Sequence, residues 1–112
     1  MQNTVIQITN NGMGNGDQVL QHKLFVKYLE LIQMNASLPN AITFYTEGVN
    51  LVVEGSPALE ELVALESKGV RLIICSTCLE YYGLIDKVRV GIVGGMTDII
   101  EAQLKAEKVI TL

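Results

Sequence analysis

Short runs of β-favouring residues alternate along this chain with segments of helical periodicity, and the alternation sets the fold class. Five runs are predicted as strands: Thr4–Thr9, Ala41–Thr46, Val70–Cys75, Val88–Ile92 and Lys108–Leu112. Helices are predicted from Asp17 to about Met34, from Ser56 to Lys68, over Leu79–Tyr82, and from Thr97 to about Ala106. Strands that alternate with helices at this spacing pair in parallel. The sequence therefore predicts an α/β fold of the flavodoxin-like or Rossmann-like class, with a mainly parallel five-stranded sheet and helices on both faces.

The size and apolar content of the chain predict one folded domain over residues 1–112. Nearly half of the residues, 49%, are apolar and only 18% are charged, which excludes a disordered chain. No apolar run approaches the roughly 20 residues that span a bilayer, and the first four residues lack the basic start of a secretory signal. We therefore expect a soluble, cytoplasmic protein without a membrane partner.

Acidic residues outnumber basic ones, and the formal net charge is −4 at pH 7. A phosphate backbone is bound by clustered lysine and arginine, and this chain has no such cluster. Nucleic acid is therefore not expected as a partner.

The two cysteines, Cys75 and Cys78, form a Cys-x-x-Cys pair where the third predicted strand ends and a helical segment begins. In parallel α/β folds, ligands bind beyond the carboxyl ends of the strands. A helix N-terminus lowers the pKa of a nearby thiol, and a second thiol at this spacing can resolve an adduct on the first. This position favours a reactive role for the two thiols. The alternative is that Cys75 is simply a small buried apolar residue and that Cys78 has no chemical role.

A zinc site is the other common use of paired cysteines. Structural zinc needs four ligands, and the chain offers at most Cys75, Cys78 and His22. We predict no metal within the chain and favour a solvated polar-face role for His22, while a zinc ion shared between two subunits stays open.

A glycine-rich loop, Gly12–Asp17, lies between the first strand and the first helix, and it includes Gly14 and Gly16. The dinucleotide-binding spacing fails because the third glycine comes one residue early, and no phosphate-binding lysine follows. Asp17 at the helix start would also repel a phosphate. We predict a tight turn that lets another loop or subunit approach, and no cofactor.

Two further groups are candidates for a supporting role. Glu54 could act as an acid or base or orient a thiol, although a surface carboxylate at a helix N-terminus is the favoured interpretation. The pair Tyr81-Tyr82 follows the cysteines and forms either an apolar lid over the thiols or ordinary interface packing.

Several segments together resemble the DsrE-like domain of the YedF family, the sulfurtransferase-like selenium-metabolism proteins of the DsrE/DsrF group. The resemblance rests on Gly14–Asp17, Phe44–Val49, Glu54–Ser56, Leu65–Val70, Cys75–Leu84, Asp86-Lys87 and Val90-Gly91. In the wider group, the strand-end cysteine is followed eight residues later by a glycine and then by an aspartate. Cys75, Gly83 and Asp86 match this spacing. One departure is Gly94-Gly95, which stands where the family usually has Thr-Asn.

The resemblance implies a three-layer α/β/α sandwich that assembles as an oligomer, with the cysteine near an interface. It also implies that Cys75 accepts sulfur and that Cys78 is the extra thiol of the YedF branch. We therefore predict a sulfur or selenium relay protein that carries a persulfide on Cys75, with Cys78 as the resolving thiol.

The expected partners are sulfur donor and acceptor proteins and, because the apolar face of the first helix is wide, further copies of the same chain. Two other interpretations stay open: a non-catalytic assembly or regulatory module, and a dithiol redox switch.

Overall fold

The computed structural model describes residues 3–112, which form a five-stranded sheet in the order β4-β3-β2-β1-β5. The strands are β1 (Thr4–Ile8), β2 (Ala41–Phe44), β3 (Arg71–Cys75), β4 (Ile92–Gly94) and β5 (Lys108–Thr111). Every neighbouring pair is parallel. The predicted α/β class with a parallel five-stranded sheet is confirmed, and the parallel pairing brings all carboxyl ends of the strands to one edge.

Within the part of the chain that the structure describes, four α-helices and two short 3₁₀ helices connect the strands. The α-helices are α1 (Gln18–Met34), α2 (Leu59–Ser67), α3 (Ser76–Tyr81) and α4 (Met96–Lys105), and the 3₁₀ helices are Thr46–Val52 and Ile85–Lys87. Asp17 caps α1 as predicted, since its carboxylate accepts a hydrogen bond from the backbone N–H of Leu20. No helix among the described residues is long and apolar enough to cross a membrane.

The starts of α2 and α4 differ from the prediction, because neither Ser56 nor Asp98 is the N-cap residue. The Ser56 hydroxyl accepts from the backbone N–H of Ala58 at 3.1 Å, so the serine closes a turn and α2 begins only at Leu59. Asp98 lies inside α4, where its carboxylate accepts from the backbone N–H of Gly95 at 2.9 Å. In both places a helix was correctly predicted with a shifted first residue.

The start of α3 also differs from the prediction. The helix begins at Ser76 and not at Leu79, so Cys78 lies within it.

The predicted strand Val88–Ile92 is wrong in its bounds, since β4 covers Ile92–Gly94. Val88 instead forms an isolated antiparallel bridge with Val53. Gly91 follows with a φ of +90°, a left-handed conformation that turns the chain before it joins the parallel sheet. The run that was predicted as one strand therefore contains a β-bridge, a turn and the first residue of β4.

The two faces of the sheet are covered unequally. One face, called the α1 face below, carries the larger core, in which side chains of α1, α2, α3 and the first 3₁₀ helix pack on the sheet. The opposite face, called the α4 face, carries a smaller core in which Ile99 and Ala102 of α4 pack against Val5, Ile73 and Cys75. Helices therefore cover both faces, as predicted for a three-layer sandwich.

Candidate functional site

The two cysteines lie where β3 passes into α3. Cys75 ends β3 and precedes the first residue of α3, while Cys78 lies in the first turn of that helix. The connection after β3 packs on the α1 face, whereas α4 after β4 packs on the α4 face. Neighbouring parallel strands whose connections leave to opposite faces open a crevice at their carboxyl ends, where ligands bind. Cys75 pairs in register with Gly94 of β4, so the cysteines lie at the carboxyl end of the strand pair where this rule expects a ligand.

The two thiols contact each other and differ in exposure. Cys78 Sγ donates a hydrogen bond to Cys75 Sγ across 3.1 Å, and neither cysteine forms a disulfide. A disulfide bond measures about 2.0 Å between its sulfur atoms, so a movement of roughly one ångström would join them. Cys75 is only 1% exposed, while Cys78 is half-buried. The pair therefore consists of one shielded thiol and one that solvent reaches.

Thr46 completes the immediate surroundings of the thiols, and the sequence analysis missed it. Its backbone N–H donates to Cys78 Sγ at 3.1 Å. Its φ is +53°, an uncommon conformation for a β-branched residue that the surrounding structure must hold in place. The available signal was position: Thr46 follows β2, and β2 lies beside β3 in the parallel sheet.

The first 3₁₀ helix reaches this position because it packs closely on the end of β1. The carbonyl oxygen of Ile8 accepts from the backbone N–H of Tyr45 at 3.1 Å. A Cβ atom at Gly48 would lie 2.1 Å from that same oxygen, so only glycine fits there. Gly48 thus fixes the segment that carries the Thr46 N–H.

The pKa of the Cys78 thiol is raised above its ordinary value. Burial is the largest cause, and the hydrogen bond to Cys75 adds to it, while the Thr46 N–H opposes both by stabilising the thiolate. The lowered pKa that we expected from a helix N-terminus is therefore not found at Cys78. The physical reason is that the desolvation of a charged sulfur outweighs the stabilisation that the Thr46 N–H gives to the thiolate.

The raised pKa predicts an alkaline pH profile for Cys78. We expect the rate of alkylation by iodoacetamide to keep rising with pH beyond 9, because the thiolate reacts and the thiol does not. The measurement is the pH–rate profile of the Cys75→Ser variant, in which Cys78 is the only thiol. That variant also removes the hydrogen bond to Cys75, so burial is the remaining cause of the raised pKa. A profile that levels off below pH 8 would contradict this assignment.

The glycine-rich loop packs back on its own helix. The carbonyl of Gly14 accepts from the Asn10 side chain at 2.8 Å and from the Gln21 side chain at 2.7 Å. The backbone N–H of Met13 donates to the Gln21 carbonyl at 3.0 Å. Gly16 and Asp17 are exposed. The loop is thus a turn closed by α1, and none of these hydrogen bonds involves either cysteine.

Glu54 pairs with Arg89 and not with a thiol. Their ion pair is about half exposed, so it contributes little to stability. Glu54 also lines a surface cavity of about 330 Å³ together with His22, Asn50 and Lys87. Neither cysteine lines that cavity, and the interpretation of Glu54 as a surface carboxylate agrees with its exposure.

The tyrosine pair is a surface feature of the single chain. The two rings pack edge to face with centroids 5.3 Å apart, and Tyr81 is 84% exposed. Its ring projects into solvent, so Tyr81 does not form a lid over the thiols in the single chain. Gly83 follows the helix with a φ of +68°, and its backbone N–H donates to the Glu80 carbonyl. Gly83 therefore ends α3.

Within residues 3–112, no three side chains of His, Cys, Asp or Glu converge in a way that could hold a metal ion. His22 bonds through Nε2 to the Asn11 side chain at 3.2 Å. The hydrogen-bonding partners of Cys78 Sγ are the Cys75 thiol and the Thr46 N–H.

A family model, that of the DsrE/DsrF-like family, matches residues 7–112. The chain belongs to the DsrE/DsrF-like family. No curated protein is similar enough in sequence to count as a relative.

Solved structures support the fold of this family member. The protein of unknown function MTH1491 from Methanobacterium thermoautotrophicum has a TM-score of 0.72 at 19% identity, and both chains are covered fully. The ychN protein from E. coli has a TM-score of 0.69 at 20% identity, again over both whole chains. The protein BT1422 from Bacteroides thetaiotaomicron has a TM-score of 0.64 at 14% identity, over 98% of this chain and 95% of that one. At these identities the likeness concerns the fold.

Proposed function

We propose that this DsrE/DsrF-like protein is a sulfur relay protein that accepts a sulfane sulfur, or its selenium counterpart, on its dithiol. The family as a whole is associated with sulfur relay. The observation that carries the proposal is the pair of free thiols 3.1 Å apart at the carboxyl end of β3. Cys75 is the accepting residue, Cys78 is the resolving thiol, and the partners are a donor protein and an acceptor protein.

The burial of Cys75 supports its role as the carrier. A persulfide on a residue that is 1% exposed is shielded from water and from unrelated thiols. Cys78 contacts Cys75 and is the more exposed of the two, so rotation of the Cys78 side chain gives the donor access. Such rotations are fast for partly exposed side chains, and they do not require α3 to unfold.

Loading with a persulfide tests the proposed function. Reduced protein is incubated with glutathione persulfide under anaerobic conditions, quenched with an alkylating agent, and analysed by mass spectrometry. We expect the mass of one added sulfur atom on Cys75, and the adduct should disappear on treatment with a reducing agent. The Cys75→Ser, Cys78→Ser double variant is the control and should show no adduct. Absence of the adduct from both the wild-type chain and the Cys78→Ser variant, under conditions that load a known carrier, would refute the proposal.

A dithiol redox switch is the second candidate, and the same short distance between the sulfur atoms favours it. A physiological reduction potential of the Cys75–Cys78 pair together with no persulfide loading would select it. If both thiols resist alkylation up to high pH, the result would instead support the third interpretation, a non-catalytic assembly module.

We also propose that the chain forms a homo-oligomer through α1. Five apolar side chains of this helix are more than two-fifths exposed: Val19, Leu20, Leu24, Leu31 and Met34. An exposed apolar surface on a soluble domain commonly marks an interface. Sedimentation equilibrium measures the assembly, and a monomer at all accessible concentrations would refute it.

A further inference from the structure

We propose that the loaded dithiol discharges itself: without an acceptor, Cys78 attacks the persulfide on Cys75, forms the Cys75–Cys78 disulfide and releases sulfide. This inference rests on the proposed function and adds a second activity to it, the reduction of a persulfide to hydrogen sulfide. Three observations carry it: the contact between the sulfur atoms, the hydrogen bond from Thr46, and the burial of Cys75.

The contact places the attacking atom beside the sulfur atom that it must attack. In a Cys75 persulfide, the inner sulfur is Cys75 Sγ, and Cys78 Sγ lies 3.1 Å from that atom. Groups held this close react as though present at very high concentration, on the order of 10⁵ M in well-oriented cases. Proximity therefore favours attack by the Cys78 thiolate over attack by a thiol in solution, and because the pKa of Cys78 is raised, the attack should become faster as the pH rises.

The step balances without an external oxidant. Cys78 loses its proton to solvent, and its thiolate forms a bond to Cys75 Sγ while the bond from Cys75 Sγ to the outer sulfur breaks. The electron pair of that bond leaves with the outer sulfur as HS⁻, which then exchanges protons with water. The outer sulfur is reduced, and the two cysteines are oxidised to a disulfide. One sulfide is released per chain, and a dithiol reductant is needed before the next cycle.

Thr46 supports the attacking group. Its backbone N–H is 3.1 Å from Cys78 Sγ, where it stabilises the thiolate, since a hydrogen bond to a charged acceptor is stronger than one to a neutral acceptor. The burial of Cys75 affects the group that is attacked. Cys78 reaches the persulfide on Cys75 more easily than a thiol in solution does. The contact between the two thiols therefore also limits how long the persulfide on Cys75 lasts. An acceptor protein must take the sulfur atom within that time.

The test follows one loading reaction over time. Reduced protein is mixed with one equivalent of glutathione persulfide without oxygen, and sulfide and intact protein mass are measured after quenching at successive times. We expect an adduct of one sulfur atom to appear first, followed by about one sulfide and one Cys75–Cys78 disulfide per chain. Thr77→Ala, a change at an exposed position between the cysteines, is the matched control and should behave like the wild type.

The Cys78→Ser variant separates this inference from the proposed function. It should keep the sulfur adduct on Cys75 and lose sulfide release, and Cys78→Ala should do the same if serine disturbs the fold. A wild-type adduct that persists without sulfide would overturn self-discharge and leave the carrier function standing. A first adduct carrying glutathione in place of a single sulfur atom, or no adduct at all, would overturn both.

Discussion

Replacing Gly48 by alanine is expected to destabilise the protein by about 3 kcal/mol or more. The added Cβ atom would lie 2.1 Å from the carbonyl oxygen and 2.7 Å from the carbonyl carbon of Ile8. Both atoms belong to the backbone of a fully buried strand, so no side-chain rotation relieves the overlap. The 3₁₀ helix must move away from β1 instead, and its first residue, Thr46, moves with it.

Urea unfolding measures the loss of stability, and Gly16→Ala is the matched control. An added Cβ at Gly16 meets no atom within 4 Å, and its φ is not positive. We expect that control to change the free energy of unfolding by less than about 1 kcal/mol. Gly48→Ala should also speed alkylation of Cys78, because the Thr46 segment packs less closely on the thiol. Equal effects of the two substitutions would contradict the proposed contact between the 3₁₀ helix and β1.

Replacing Leu79 by alanine is expected to cost about 2–5 kcal/mol of stability. Leu79 is fully buried on the α1 face and is the only buried residue of α3. It follows Cys78 directly, so it anchors the turn that carries the dithiol to the sheet. Truncation removes this anchor and leaves a cavity between α3 and β3.

Thermal or urea unfolding of Leu79→Ala should be compared with Glu80→Ala. Glu80 is the next residue of the same helix but is exposed, so its truncation tests helix propensity without opening a cavity, and it should cost well under 1 kcal/mol. We also expect Leu79→Ala to slow formation of the Cys75–Cys78 disulfide, because the two sulfur atoms are no longer held in contact. Unchanged stability would mean that α3 does not depend on this packing.

The fold class could be predicted from the sequence because it depends on patterns that repeat within each segment. Local patterns located α1, α2 and α4 and the runs that form β1, β2, β3 and β5, and Asp17 marked the start of α1, whereas α3 begins three residues before its predicted start. The bounds of β4 could not be predicted, since the run from Val88 mixes a bridge, a glycine turn and the strand. A short stretch of sequence shows which residues are apolar. It does not show which other segments pack against them in the fold.

The candidate site divides in the same way. The position of Cys75 and Cys78 at a strand end followed from local sequence. The pKa of Cys78 could not be predicted, because desolvation depends on the side chains packed around the sulfur atom. The exposure of Tyr81 likewise depends on how far α3 reaches beyond the sheet. The sequence alone did not decide between a lid over the thiols and ordinary interface packing.

The sequence by itself determined an α/β chain with parallel strands and a dithiol at the carboxyl end of one of them. It did so because strand and helix periodicities, and the spacing of two cysteines, are properties of neighbouring residues. Only the tertiary structure decided what surrounds the thiols. Thr46 is 32 residues from Cys78 along the chain, and it reaches the sulfur atom because β2 and β3 are adjacent and parallel. Gly48 holds that segment against β1, a contact that exists only after the sheet has formed.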